Sequence, residues 1–229
     1  MKKNIKEYIT RLVLLFIGLV TAHLGVTLFL LSDMGADPFN VLIQGLHNII
    51  VKAGAASVTH GMVHMAVCFL IIIVLLITDK SYIKAGTVVC MVCGGPVIDF
   101  FTWLLSGLDI GSMHIAMKIL ILVIGCVVLA FGMTIVIRSE AGTGPNDLVA
   151  VVISDKSGKK FGIIRMITDC VFVAAGAAAG GKFGIGTLIC AFLVGPVADI
   201  FMPVSSAIVR HGLALMKTGT DDTKETSHT

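Results

Sequence analysis

The sequence predicts an all-α integral membrane protein with about six transmembrane helices and two short half-helices, arranged as two inverted repeats of three spans each. Only 14% of the residues are charged and 56% are hydrophobic, whereas a soluble domain carries about 25% charged residues. The charges are grouped between apolar stretches of the length needed to cross about 30 Å of hydrocarbon. In addition, the second half of the chain repeats motifs of the first.

The predicted elements follow the apolar runs in chain order. A first repeat occupies residues 1–107 and a second occupies 108–216, each with three spans and one short amphiphilic helix. The short helices have too few residues to cross the bilayer. The polar, threonine-rich residues 217–229 are predicted to form a disordered cytoplasmic tail. The spans are 11–31, 61–78, 85–105, 113–137, 163–180 and 184–206, and the short helices are 39–51 and 146–155.

The first apolar run follows a basic stretch, which is also how a secretory signal peptide begins. The run at 12–31 is longer than a signal-peptide core, and no small-residue cleavage site follows it. We therefore predict that this segment is retained as the first transmembrane helix.

Lysine and arginine predict the orientation, because cytoplasmic loops carry an excess of both. With the N-terminus inside and six spans, fourteen of the 17 Lys and Arg residues lie inside, and the exceptions are Lys52, Lys118 and Lys182. This bias requires an even number of crossings. It predicts a multi-pass membrane protein with both termini in the cytoplasm.

An internal repeat relates the two halves of the chain. Gly18, Gly25 and the loop at 32–40 match residues that lie 107 positions later, without a gap. The segments 86–101 and 186–201, which are 100 positions apart, both read G-T-x-x-C-x-x-x-x-G-P-V-x-D-x-F. Each half has an odd number of spans, so the second copy enters the membrane reversed. Many secondary transporters are built on this plan.

The loops before the two short helices form the first candidate site. Prolines suit the first helical position, so Asp37 is predicted to be the N-cap of one short helix, with Gly144 in the equivalent place. Helices that dip back into the bundle would bind substrate with their positive ends, whereas helices lying flat at the interface would be connectors. The candidate cavity residues, for which capping is the alternative role, are Asp37, Asn40, Gln44, Asn146 and Asp147, and the loop motifs also contain Gly35, Pro38, Gly142 and Pro145.

The second candidate site combines a Gly-Pro pair with an acid in the last span of each repeat. Proline kinks a helix and frees a carbonyl, and a carboxylate in hydrocarbon should face the interior, pair or be protonated. Two acids in matching places predict a coupling-ion or proton site in the bundle interior. The alternative is that they accept hydrogen bonds near helix ends. The motifs consist of Thr87, Gly95, Pro96 and Asp99 in the first repeat and Thr187, Gly195, Pro196 and Asp199 in the second.

The other polar residues indicate structural roles. Arg165 and Asp169 are four positions apart on one predicted helix, which is the spacing of an ion pair. His60 and His64 share that spacing, but no third metal ligand is evident and all six cysteines lie in apolar runs. We therefore expect neither a metal site nor a cofactor. The chain contains no nucleophile elbow, P-loop or dinucleotide fingerprint, so we do not expect an enzyme.

Three of these motifs carry a resemblance to a known family. The runs Gly-Ala-Asp-Pro-Phe-Asn at 35–40 and Gly-Thr-Gly-Pro-Asn-Asp at 142–147, with the two Gly-Pro-x-x-Asp segments, resemble the YczE/YyaS/YitT family of bacterial membrane proteins. The similarity covers about residues 8–208. It implies a multi-spanning inner-membrane protein of a family often described as transporters. It implies neither a substrate nor a catalytic residue.

Two functions fit the sequence. A small secondary transporter of an unidentified small solute, with proton coupling through the paired acids, is favoured by the repeat and the half-helices. The alternative is a non-transporting membrane accessory protein that binds and supports a partner, because the chain is small and has no distinctive substrate motif. The expected partners are the lipid bilayer and a small solute, and a homo-oligomer or a membrane protein partner is also open. Basic residues gather at helix ends, so we do not expect nucleic acid.

The predicted orientation can be tested by cysteine labelling in intact cells. Ser81 and Ser157 lie in segments predicted to be cytoplasmic. Single cysteines at these positions should therefore resist a membrane-impermeant maleimide added outside, and should react after lysis. Efficient labelling of either position before lysis would overturn the predicted map.

Overall fold

The protein is a bundle of α-helices. The computed structural model describes residues 5–55 and 57–225, and the side chains of this part as far as residue 215. Six of its helices are long and apolar enough to cross a membrane, so the predicted membrane class is confirmed, and the described residues contain no β-strand. The α-helices are α1 Ile5–Leu31, α2 Pro38–Lys52, α3 His60–Thr78, α4 Ala85–Leu104, α5 Ile115–Ser139, α6 Pro145–Ser157, α7 Phe161–Ala178 and α8 Ile185–Glu225.

Two helices extend beyond the predicted spans. Helix α1 begins at Ile5 rather than at residue 11, and the ion pair between Glu7 and Arg11 lies within its added turns. Helix α8 continues to Glu225, so its backbone includes most of the segment that we expected to be a disordered tail. Once a helix has formed, each added residue gains a hydrogen bond without a new nucleus. Residues 226–229 lie outside the described part of the chain.

The loops before α2 and α6 have matching backbone conformations. Gly35 has φ +134° and Gly142 has φ +136°, which are values that residues with a side chain rarely adopt. Pro38 and Pro145 then occupy the first positions of α2 and α6, as predicted. The two glycines therefore allow each chain to turn from a long span into a short helix.

Helices α1 and α5 cross through reciprocal glycine contacts. A Cβ atom on Gly25 would lie 2.5 Å from the carbonyl oxygen of Gly125, and one on Gly125 would lie 2.8 Å from that of Gly25. Gly18 and Gly132 meet in the same way, at 2.9 and 2.6 Å. The order of the contacts reverses along the two helices, so α1 and α5 are antiparallel. Small residues of this kind let membrane helices approach backbone to backbone.

Two further backbone contacts repeat at matching positions. The Gly86 N–H donates a hydrogen bond to the Ala141 carbonyl oxygen, and the Gly186 N–H donates one to the Met34 carbonyl oxygen, both at 2.9 Å. These positions correspond in the sequence repeat. Two copies related by a two-fold axis would make reciprocal contacts of this kind. The contacts therefore support the inverted repeat, which stays a prediction.

The two halves differ in how their last two spans pack. Gly162 of α7 lies so close to Gly195 of α8 that a Cβ atom on either would overlap the other's carbonyl oxygen. Helices α3 and α4, by contrast, are not in close contact. A Cβ atom on Gly95 would meet nothing within 4 Å, and one on Gly61 would meet only Thr59 Oγ1, at 3.9 Å. A gap therefore separates α3 from α4.

The glycine crossing predicts a sharp difference between two substitutions. Gly132→Val should lower the melting temperature of the purified protein, because a side chain there would overlap the backbone of α1 near Gly18 and overpacking costs about 1–3 kcal/mol. Gly107→Val is the matched control, since a Cβ atom on Gly107 meets nothing within 4 Å. Equal melting temperatures for the two variants would contradict the crossing.

Candidate functional site

A cavity of about 450 Å³ lies within the bundle and is lined by residues from all eight helices. Its volume falls within the range of small-molecule sites, which is roughly 300–1,000 Å³. The first turns of both short helices reach the cavity. Residues of α3 and α4, on either side of the gap between these two helices, also line it. The polar side chains in its lining are His23, Asp37, Asn40, His60, His64, Asn146, Asp147 and Arg165.

The N-terminal turn of α2 is packed inside the bundle. Asp37 caps the helix by accepting a hydrogen bond from the Asn40 backbone N–H at 3.2 Å, and it also accepts one from the Asn40 side-chain amide. The Asn40 Oδ1 atom is in turn 3.3 Å from His60 Nε2. Phe39, which is 2% exposed, packs edge-on against His64 and Phe172. The predicted N-cap is therefore present, and its polar groups face the cavity.

The N-terminal turn of α6 faces the same cavity without a side-chain cap. Gly144 occupies the N-cap position and accepts the Leu148 N–H through its carbonyl oxygen. The backbone N–H groups of Asn146 and Asp147 have no helical acceptor, as is general for the first turn. Both short helices thus direct their positive ends at one cavity, which is the arrangement expected of helices that dip into the bundle.

A buried ion cluster closes the α7 side of the cavity. Arg165 Nε donates to Asp169 Oδ2 at 2.9 Å, and Arg165 Nη1 donates to an Asp147 oxygen. Arg165 is 7% exposed and Asp169 is fully buried. The predicted pair of Arg165 with Asp169 is confirmed, and Asp147 is a further partner. A buried guanidinium needs such partners, because an uncompensated buried charge costs several kcal/mol.

The cavity and its ion cluster carry an excess of carboxylates. Asp147 and Asp169 face the single guanidinium of Arg165, and Asp37 adds a third carboxylate at the α2 end. The Asp169 Oδ1 atom is buried without a hydrogen-bond partner among the described residues. The site therefore contains more carboxyl groups than guanidinium groups.

Three of the residues predicted to face a cavity do not reach it. Gln44 Oε1 accepts the Lys182 backbone N–H at 2.7 Å, at the far end of α7. Asp199 Oδ1 accepts the Gly162 backbone N–H at 2.7 Å, so Asp199 has the hydrogen-bonding role that was the alternative. Asp99 is exposed and is not part of the cavity lining, although Gly95, one helical turn before it, is. In this structure Asp99 is therefore not buried in the bundle interior.

The matching threonines have different partners. Thr187 Oγ1 donates to the Ala36 carbonyl oxygen at 2.6 Å and accepts the Gly184 N–H at 3.1 Å, so it ties α8 to the loop before α2. Thr87 is equally buried, but its hydroxyl has no hydrogen-bond partner among the described residues. Both are fully buried and lie outside the cavity lining.

Sequence reasoning did not place Arg165 or His23 at the site. His23 Nδ1 is 2.7 Å from the Leu19 carbonyl oxygen, and its Nε2 faces Gly94 of α4. An arginine and a histidine inside apolar spans are signals of a polar interior. Their spacing along the chain, however, does not reveal that α1, α6 and α7 meet at one cavity.

Comparison of the sequence with known proteins identifies a family. A model of a family of unknown function, DUF6198, matches residues 9–203. The chain belongs to this family. The uncharacterized membrane protein YczE of Bacillus subtilis is 24% identical to this DUF6198 protein over 210 residues, which are 91% of this chain and 93% of the relative. The uncharacterized protein YyaS of the same organism is 26% identical over 204 residues, or 89% of this chain and 96% of the relative.

A third relative extends the comparison beyond Bacillus. An uncharacterized protein of Haemophilus influenzae is 24% identical over 200 residues, which are 86% of this chain and 85% of the relative. No solved structure matches the DUF6198 chain. The resemblance to the YczE/YyaS-type family is thus confirmed, and it describes a membrane protein of unknown function.

The ion cluster predicts that its members depend on one another for stability. Arg165→Leu should lower the melting temperature strongly, by an amount equivalent to about 3–5 kcal/mol, because it leaves buried carboxylates unpaired. The double variant Arg165→Leu with Asp169→Leu should regain part of the loss. Asp99→Asn is the control and should melt like the wild type, since Asp99 is exposed. An unaffected Arg165→Leu variant would show that the cluster is not formed.

Proposed function

We propose that this protein is a small secondary transporter that moves an unidentified small solute across the bacterial plasma membrane. In this proposal the two halves are inverted repeats, both termini are cytoplasmic, and the cavity is the substrate site. The observation that carries it is the convergence of the α2 and α6 N-terminal ends on one cavity of about 450 Å³. Half-helix ends meeting inside a bundle are typical of transporter substrate sites.

The packing favours transport over an accessory role. A protein that only supports a partner needs no internal polar space, and a dry, fully packed bundle would serve it. This bundle instead keeps polar side chains such as Asn40, Asn146 and Arg165 around a cavity. Because polar groups inside a membrane protein are costly unless they serve a polar pathway or a partner, the cavity supports passage of a polar solute. The proposal assigns neither an enzymatic reaction nor a cofactor.

The proposal moves proton coupling away from the acids that the sequence suggested. Asp99 and Asp199 lie outside the cavity lining, whereas the carboxyl group of Asp37 and the imidazoles of His60 and His64 line it. We therefore assign any exchange of protons with the solute to these three side chains. Uptake measured at several pH values with Asp37→Asn would test that assignment.

The substrate site can be tested by a thermal-shift screen. A ligand that binds the native state raises its apparent stability by RT ln(1 + [L]/Kd), so purified protein should melt higher with the transported class of metabolite. Asn146→Ala should abolish this shift without unfolding the protein, because the Asn146 amide lines the cavity and makes no hydrogen bond to another described residue.

Gln44→Ala is the matched control for the same screen. It removes a polar side chain of similar size from α2, but Gln44 contacts Lys182 outside the cavity. The ligand shift should therefore persist in Gln44→Ala. A shift that survives Asn146→Ala, or one that is lost equally in both variants, would place the ligand elsewhere and remove the basis of the proposal.

A further inference from the structure

We infer that the gap between α3 and α4 is the open form of a gate and that the α7–α8 contact is the closed form of the equivalent gate. In another conformation, Asp99 holds the α3–α4 gate shut. This inference rests on the proposed function, because it describes how access to the same cavity alternates. It concerns three residues in each half of the chain: Gly61, Gly95 and Asp99 form the α3–α4 gate, and Gly162, Gly195 and Asp199 form the α7–α8 gate.

The closed gate has two parts. Gly162 and Gly195 bring the backbones of α7 and α8 together, with no room for a Cβ atom on either. The Asp199 carboxylate then accepts the Gly162 backbone N–H at 2.7 Å. Gly162 is the second residue of α7, and the N-cap residue of that helix provides no side-chain hydrogen bond. Asp199 therefore acts as an N-cap supplied by a neighbouring helix.

The first half contains the same three residues without the contact. Gly95 and Asp99 lie 100 positions before Gly195 and Asp199 in the repeated motif, and Gly61 is the second residue of α3 as Gly162 is of α7. Here, however, a Cβ atom on Gly61 or on Gly95 would have no atom of the other glycine within 4 Å. Asp99 is exposed.

An exposed carboxylate in a predicted span is costly. The cost is explained if Asp99 has a partner in a second conformation. Closure of α4 on α3 would seat Gly95 on Gly61 and bring the Asp99 carboxylate to the Gly61 backbone N–H. That contact would reproduce the one that Asp199 makes with Gly162.

In this inference the two gates lie towards opposite sides of the membrane. Gly61 and Gly95 belong to the cavity lining beside the open gap, whereas the α7–α8 gate is at the N-terminal end of α7. With the predicted orientation, α3 begins outside and α7 begins inside, so this conformation admits solute from outside. Exchange of the two arrangements, with Asp99 engaged and Asp199 released, would open the cavity to the cytoplasm, as in transporters built from inverted repeats.

The gates can be tested without knowing the solute, by measuring cavity access from each side of the membrane. Met91 lines the cavity from α4 and is half-buried. A chain whose only cysteine is Met91→Cys would be labelled with a cationic, membrane-impermeant methanethiosulfonate in right-side-out and inside-out vesicles. The ratio of the two labelling rates follows the equilibrium between outward-open and inward-open forms.

The two acids should move this ratio in opposite directions. Asp99→Ala should raise the outside-to-inside ratio about fivefold, and Asp199→Ala should lower it about fivefold, since each removes one helix N-cap from one conformation. Asp99→Ala should leave the melting temperature unchanged, because Asp99 is exposed here. The labelling ratio of Asp99→Ala therefore tests the gate even if Asp199→Ala folds poorly.

A glycine variant provides the second arm of the test. Gly61→Ala fits the open gap but would block closure, because the equivalent position in the shut gate has no room for a Cβ atom. It should abolish labelling from inside, whereas Gly107→Ala should not alter the ratio.

Two results would contradict the inferred gate. Labelling from one side only in every variant, or a ratio unaffected by Asp99→Ala, would mean that the α3–α4 gap is permanent and faces lipid. The solute screen does not depend on this measurement. The gate and the substrate site can therefore fail separately.

Discussion

The antiparallel glycine crossing of α1 and α5 is the interaction on which the rest of the structure depends. Because Gly18 meets Gly132 and Gly25 meets Gly125, the two backbones approach closely and neither helix can slide along the other without a clash. This fixed pair places the C-terminal end of α1 beside α8, the last span of the second half, and that of α5 beside α4, the last span of the first half. The Gly86–Ala141 and Gly186–Met34 hydrogen bonds then hold those ends in place, so the first turns of α2 and α6 enter the same cavity.

The polar interior follows from that placement. Helix α6 brings Asp147 to Arg165, and Arg165 also pairs with Asp169 on its own helix. Two carboxylates face one buried guanidinium, and the Asp37 carboxylate also lines the cavity. In a low-dielectric interior such charges interact strongly. The cavity thus has a defined electrostatic character as well as a defined size.

The two halves differ in how the repeated motif packs. The same Gly-Pro-x-x-Asp motif closes on α7 in one half and stands apart from α3 in the other. Two packings of equivalent residues within one chain indicate that neither is enforced by the motif alone. A small difference in free energy between them is what the proposed conformational exchange requires, and Gly61 and Gly95, which stand apart, are part of the cavity lining.

The sequence by itself determined the properties that depend on local spacing and composition. The six spans, the proline-started short helices, the Asp37 N-cap and the Arg165–Asp169 pair all follow from runs, turn chemistry or i,i+4 spacing, and the structure contains each of them. The extended ends of α1 and α8 were missed, because helix termini depend on packing and hydrogen bonding that composition does not encode.

Only the tertiary structure decided which polar residues share the cavity. Asp99 and Asp199 occupy the same place in two copies of one motif, yet one is exposed and the other caps α7, and Gln44 lies one helical turn beyond Asn40 but contacts Lys182 instead of the cavity. These outcomes depend on the rotation of each helix about its axis and on its neighbours. Packing between residues far apart in the chain sets both, and a periodic apolar pattern exposed to lipid on several sides does not specify them.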